Sequence, residues 1–194
     1  MAKPLLLIDF DRTLFDTAAF VDELWEYLAR SYHVATPEEQ ARATQFYQYI
    51  GEQYDYYFFD HMASISGVPP AEVLVHELKE AFKDKNFLFS DVNAILPAVD
   101  AILTIGNQPY QEFKLSLCPL LATIPRHIVQ ATKGLYITQT FGLQPTVLID
   151  DKQQQNLPAS TTFIHLDRSQ SEPVIRKEGK ISIVSLQYYQ QALA

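Results

Sequence analysis

The segment Asp9-Phe10-Asp11-Arg12-Thr13-Leu14 places two carboxylates two residues apart, directly after the apolar run Leu5-Leu6-Leu7-Ile8. On an extended backbone, side chains at i and i+2 leave the same side, so Asp9 and Asp11 can face one reaction centre. Carboxylates held that close repel each other unless a cation lies between them or one is protonated. The first arrangement is a site of hard oxygen ligands suited to Mg2+. The second sets a nucleophile beside a proton donor. An ordinary acidic turn after a strand fits the same residues, and the motif alone does not separate these readings.

The surrounding elements narrow the choice. Leu5–Ile8 is a short continuous apolar run of the kind found in strands buried on both faces. Ala101–Ile105 before Gly106-Asn107, and Thr146–Ile149 before Asp150-Asp151, follow the same pattern, with weaker versions at His127–Gln130 and Thr162–Leu166. Helical patterns lie between them over Gln108–Leu121, closed by Pro119 or just beyond, and Leu135–Phe141, stopped by Gly142. Ser185 caps a terminal helix over Leu186–Leu193. Strands alternating with helices predict an α/β fold: a Rossmann-like parallel sheet flanked by helices. Ligands of such sheets bind beyond the carboxyl ends of the strands, where the polar residues named above fall.

The region from Asp16 to Phe89 reads differently. Apolar residues at 20, 21, 24, 25, 28 and 32 form a helical stripe, and Thr36-Pro37-Glu38-Glu39 and Pro70–Phe82 are further helix starts. No strand is evident, so an all-helical insertion after the first strand is expected. The division is 1–15 and 90–194 for the α/β core and 16–89 for the insertion.

With these elements in place, Asp9-Phe10-Asp11-Arg12-Thr13-Leu14 resembles the D-x-D-x-T motif of the haloacid dehalogenase (HAD) superfamily of phosphohydrolases. Thr104 resembles the second motif's Ser/Thr, Lys133 in Thr132-Lys133-Gly134 the third motif's Lys, and Asp150-Asp151 the acidic pair of the fourth. The insertion after the first motif resembles that superfamily's C1 cap. The resemblance implies that Asp9 is the nucleophile, forming an aspartyl-phosphate, and Asp11 the general acid and base, with a pKa nearer the working pH than that of a free Asp. It implies Mg2+ held by Asp9, the Asp11 backbone carbonyl and Asp151, with Asp150 as a supporting or alternative ligand. Thr104 and Lys133 would bind the phosphoryl oxygens. The implied reaction is hydrolysis of a small phosphomonoester. A phosphosugar mutase on the same framework, and a non-catalytic binding protein that keeps the fold, are the alternatives.

Several positions depart from that pattern. Arg12 stands where many C1-capped members have Gly; it could reach the phosphate or a cap residue, or be a solvated turn residue. Gln155 and Asn156 fall where many members carry another acid, and Ile105 where many have Asn. Lys114 rivals Lys133 as the phosphate-stabilising Lys, but lies ten residues beyond Thr104 and is expected to point away from the sheet ends. The insertion is rich in aromatics between Phe46 and Phe59, among which Tyr49 and Tyr57 are candidates for substrate contact or for packing between helices. His61 is a weaker candidate, and the five His residues lack metal-ligand spacing.

Composition bounds the rest. The 194 residues carry 15 Lys and Arg against 23 Asp and Glu, a net charge of −8, which argues against a nucleic-acid partner. An apolar fraction of 47% with charged residues at 20% argues against disorder. A lone Cys118 cannot form an internal disulfide. The run 5–8, closed by Asp9, is too short for a signal-peptide core. No stretch approaches the roughly 18 apolar residues of a membrane span. The expectation is a soluble, cytoplasmic enzyme.

Overall fold

The three strongest apolar runs become neighbouring strands. In the computed structural model, which describes residues 3–50 and 53–194, they are β1 (Leu5–Ile8), β4 (Ala101–Ile105) and β6 (Thr146–Asp150). With β5 (Arg126–Val129), β7 (Thr161–Leu166), β8 (Val174–Lys177) and β9 (Lys180–Ile183) they build one sheet in the order β5-β4-β1-β6-β7-β9-β8. Every neighbouring pair is parallel except β8 with β9. The chain builds outward from β1 through β4 to β5, then restarts on the other side at β6. The reversal lies between β1 and β6, where α/β sheets open a crevice for ligands.

Alternation along β1 splits the core into two layers. Leu6 and Ile8 join the larger apolar cluster, and Leu7 packs on the other face with Leu103, Leu148 and Ile137. Helices α5 (Gln108–Ser116) and α6 (Lys133–Phe141) follow β4 and β5. Helix α5 is shorter than expected. Cys118 precedes Pro119 and leaves the helical region, so Pro119–Leu121 forms a separate 3-10 turn. A short helix α7 (Tyr189–Leu193) ends the chain, entered through a 3-10 turn in which the Ser185 hydroxyl accepts from the Gln187 amide.

Between β1 and β4 lies the helical insertion: α1 (Thr17–Tyr32), α2 (Thr36–Arg42), α3 (Phe58–Ala63) and α4 (Ala71–Phe82). Asp16 caps α1 by accepting from the Ala19 amide at 3.1 Å. The stripe Phe20, Leu24, Trp25 and Leu28 is buried in the larger core cluster, together with Phe58, Met62, Leu74 and Leu78. Aromatic contacts carry this packing onto α5. Phe58 stacks on Tyr110 at 4.7 Å between ring centres, and Phe20 meets Phe113 at 6.2 Å.

Two hairpins lie outside the elements expected from the sequence, one of them within the insertion. The insertion is not all-helical: β2 (Tyr47–Ile50) and β3 (Gln53–Tyr56) form an antiparallel pair, Tyr47 opposite Tyr56 and Tyr49 opposite Tyr54. Tyrosines alternating with polar residues follow a period of two, the mark of a strand. At the far edge of the sheet, β8 and β9 are joined by Glu178-Gly179, both with positive φ, the conformation of a tight hairpin turn.

Asp91 fastens the return from the insertion to the end of the sheet. Its carboxylate accepts from both terminal nitrogens of Arg168 at 2.8 and 3.1 Å, from the Ser185 hydroxyl at 2.7 Å and from the Leu186 amide at 3.0 Å. Arg168 also donates to the Thr13 carbonyl at 3.0 Å and covers the Phe89 ring. Burial alone would raise the Asp91 pKa; Arg168, Ser185 and Leu186 outweigh it and hold the carboxyl below its ordinary 3.8. A depressed folded-state pKa stabilises the protein above the ordinary value and loses that contribution as pH falls through the lower one. Asp91→Asn is expected to cost about 2 kcal/mol at neutral pH, the scale of a hydrogen-bonded charge. The gap to wild type should close in acid, and denaturant titrations at pH 7 and pH 3 measure both.

Candidate active site

Asp9 leaves the carboxyl end of β1, its amide bonded to the Ile149 carbonyl at 2.9 Å. A tight turn follows, in which the Phe10 carbonyl accepts from the amides of Thr13, Leu14 and Phe15. The Phe10 ring is buried in the core, which turns the Asp9 and Asp11 side chains the opposite way. Arg12 adopts the left-handed conformation, φ 60°. Glycine reaches that region without steric cost, and a side chain there costs roughly 1 kcal/mol.

Lys133, first residue of α6, is buried, and its ammonium donates to Asp9 and to Asp150 at 2.5 Å each. Thr132 caps the helix. Gly134 is required by close approach: a Cβ there would stand 2.3 Å from the Asn156 carbonyl oxygen. Asp150, at the end of β6, also accepts from the Lys152 amide and the Gln154 side-chain amide, each at 2.8 Å. Gln154, rather than Gln155 or Asn156, therefore supplies the amide contact in this loop. The Asp151 amide bonds the Thr13 hydroxyl at 3.2 Å, and its carbonyl oxygen lies 2.9 Å from His165 Nε2. Sequence reading passed over Gln154 and His165 because neither belongs to a charged motif.

Asp9, Asp150 and Asp151 each offer a carboxylate oxygen within 4.8 Å of the others. Three carboxylates face one buried ammonium, an excess of acidic groups in a largely buried space. Burial, opposed by Lys133 and reinforced by Asp150, raises the Asp9 pKa to about 7. Burial and Asp150 raise that of Asp151. The Lys133 pKa rises because its two carboxylate partners outweigh its burial, so the lysine stays charged. This excess of hard anionic oxygen fits a divalent cation such as Mg2+. Asp11 is outside the trio: its carboxylate turns elsewhere.

That direction corrects an expectation. Lys114 does not point away from the sheet ends; it is buried and donates to both Asp11 oxygens at 2.5 and 2.7 Å. Side chains on a helix lean toward its N-terminus, and the lysine stem is long enough to bring Lys114 back to the start of α5. Gln111, one turn earlier on the same face, donates to Asp11 at 2.8 Å and to the Ile105 carbonyl at 3.0 Å. Gly106, φ 154°, leaves room for it: a Cβ would lie 2.5 Å from the Gln111 amide nitrogen. Thr17, the first residue of α1, adds a third donor at 2.9 Å. Burial would raise the Asp11 pKa, but Lys114, Gln111 and Thr17 together hold it below 3.8. The pKa shift is opposite in sign to the one expected.

A cavity of about 380 Å³ opens on these groups. Asp9, Asp11, Arg12, Thr104, Lys133, Asp150 and Asp151 all line it, and so does Lys114. Tyr49 and Tyr57 do not. The aromatic lining consists of Trp25, Tyr47, Tyr54, Tyr56 and Tyr110. His61 is buried beside it, with its ring nitrogens 2.6 Å from the Tyr56 hydroxyl and 3.0 Å from Glu39, and its ring stacked on Phe46. Cys118 is buried, which pushes its thiol up to about 12, out of range for a nucleophile. Among the described residues, no helix is long and apolar enough to cross a membrane.

No family model matches the sequence, and no curated protein matches it. Solved structures do. A protein described as a haloacid dehalogenase-like hydrolase, from Burkholderia xenovorans, superposes with a TM-score of 0.59 at 14% identity over the whole of both chains. A HAD-hydrolase from Bacillus subtilis, solved bound to magnesium, gives 0.60 at 14% identity, covering 100% of this chain and 99% of that one. A haloacid dehalogenase-like family hydrolase from Xanthomonas campestris gives 0.51 at 13% identity, covering 99% and 95%. The chain has the fold of the HAD-like hydrolases.

Proposed function

We propose that the protein is a Mg2+-dependent phosphatase that hydrolyses a small phosphomonoester through an aspartyl-phosphate. The observation that carries this reading is the buried Asp9–Lys133–Asp150 cluster, with Asp151 beside it and Asp11 facing the same 380 Å³ cavity. Asp9 attacks the phosphorus while the bond from phosphorus to the alcohol oxygen breaks, and Asp11 supplies the proton that the departing alkoxide takes. Water then attacks the phosphorus of the aspartyl-phosphate and gives its proton to Asp11, which releases inorganic phosphate and restores the Asp9 carboxylate. Lys133 and Thr104 stabilise the equatorial phosphoryl oxygens. Asp9, the Asp11 backbone carbonyl and Asp151, with Asp150 in support, would hold Mg2+, which would supply positive charge against the Asp trio and the phosphoryl group. Residues 16–89 act as a cap of the C1 type over the core at 1–15 and 90–194, and a cavity this size suits a small molecule rather than a protein substrate.

Asp11 is ionised as it stands, ready for the second step. To serve in the first it must gain a proton, and the negative charge of an arriving phosphate raises its pKa in that direction. Lys114 opposes the rise and so sets where Asp11 titrates. Arg12 keeps a costly conformation in the cavity wall, an arrangement that strain at functional sites commonly marks.

Turnover of an aryl phosphate with and without Mg2+ is the direct test. Asp9→Asn is expected to lower kcat by about 10³-fold or more, as removal of a nucleophile does. Wild-type protein inert toward a broad phosphate panel with Mg2+ present would sink the reading. Lys114→Met removes the cation that holds Asp11 low, so the limb of the pH–rate profile set by Asp11 should move to higher pH. A profile that stays in place would reduce Lys114 to a packing role. Arg12→Gly should raise or preserve Tm while weakening KM, and a lowered Tm with unchanged KM would contradict the role given to Arg12.

A further inference from the structure

Asp55 sits on β3 opposite Gln48, on the face of the hairpin away from its tyrosines. Its neighbour Tyr54 is 65% exposed at the cavity rim, whereas Asp55 is 1% exposed; both line the cavity. Among the described residues, neither carboxylate oxygen has a hydrogen-bond partner of good geometry. Burial raises its pKa and outweighs the Asn107 amide, the Gln130 side chain, the Lys114 charge and the Tyr56 amide, whose weak polar contacts lower it, so the net shift is upward. Lys114 does not neutralise it, because that ammonium is committed to both oxygens of Asp11.

A buried carboxylate whose oxygens make no well-formed hydrogen bond is costly and needs a reason. Among the described residues none supplies one: Asp55 caps no helix and forms no ion pair. Its surroundings describe the missing partner. Trp25 lines the same cavity and adds aromatic surface of the kind that favours a cation. A neutral hydroxyl would satisfy an oxygen but leave the buried charge uncompensated.

We propose that Asp55 is a substrate-binding residue, and that the phosphomonoester accepted by this cavity carries a protonated amine on its alcohol half, docked on the Asp55 carboxylate. The proposal rests on the phosphatase reading for the phosphoryl end of the ligand. It adds a second charged anchor, opposite in sign, so that the ligand is held at both ends.

Calorimetric titration of the protein with Mg2+ present tests it, using 3-aminopropylphosphonate against butylphosphonate, which replaces the ammonium by a methyl group. Wild type is expected to bind the amine at least about tenfold tighter, the scale of a charge-assisted hydrogen bond in a desolvated site. Asp55→Asn should erase that difference, with a Tm no lower than wild type because a buried unpaired charge has gone. Equal binding of the two ligands by wild type would overturn the proposal, and so would a preference that survives in Asp55→Asn. Binding of 3-hydroxypropylphosphonate as tight as that of the amine would overturn it too. The wild-type comparison stands even if the variant fails to fold. These phosphonates are bound without being hydrolysed, so the titration and the turnover assay fail separately: an inactive protein that still selects the amine refutes only the phosphatase reading.

Discussion

The Lys133 ammonium, shared between Asp9 and Asp150, is the interaction on which the rest of the structure turns. It joins the ends of two neighbouring strands, β1 and β6, to the first residue of α6 across a space that water scarcely reaches. Taking these charges out of water is expensive, and their attraction repays the cost only where the geometry is tight and the remaining lone pairs are filled. The surroundings meet both conditions. Lys152 and Gln154 satisfy Asp150, Thr132 fixes the start of the helix, and the missing side chain of Gly134 lets the loop after β6 close against it.

A second Asp–Lys pair lies beside the first and is built from different elements. Asp11 is held by Lys114 and Gln111 from α5 and by Thr17 from α1, so the acid is fixed jointly by the α/β core and by the insertion. The two carboxylates of one short motif are thereby driven apart, Asp9 upward and Asp11 downward. Environments that separate like groups are how one site assigns them different work. Since α1 supplies both the Thr17 donor and the Phe20 contact to α5, packing of the insertion and positioning of the acid are one problem.

Much of this was legible in the sequence because it obeys local rules. The strands β1, β4 and β6 announce themselves as apolar runs ending in polar residues, and α1 as a stripe closed behind a capping Asp. Lys133 could be placed because a helix start after a strand has little freedom. Lys114 could not: the direction of a long side chain depends on where the helix sits against the sheet, and residue spacing does not carry that. Gln111 and Gln154 bear no charge to draw the eye, and their roles exist only through contacts made 100 and 4 residues away. The tyrosine hairpin shows a period of two, but within a stretch whose neighbours are helical on both sides. Asp55 was invisible for the same reason, since burial of one face of a two-stranded ribbon is a tertiary fact.

The antiparallel hairpin at the end of the sheet bears on how copies of this chain treat one another. An open strand edge is a template for pairing, and natural sheets blunt it with charge and brevity. Strand β8 has four residues and ends in Arg176 and Lys177, while β5 at the opposite edge begins with Arg126. Joining two copies through β8 would crowd the cations of both into a ladder four residues long. In a protein whose net charge is −8, positive charge is thus spent where it keeps molecules from annealing.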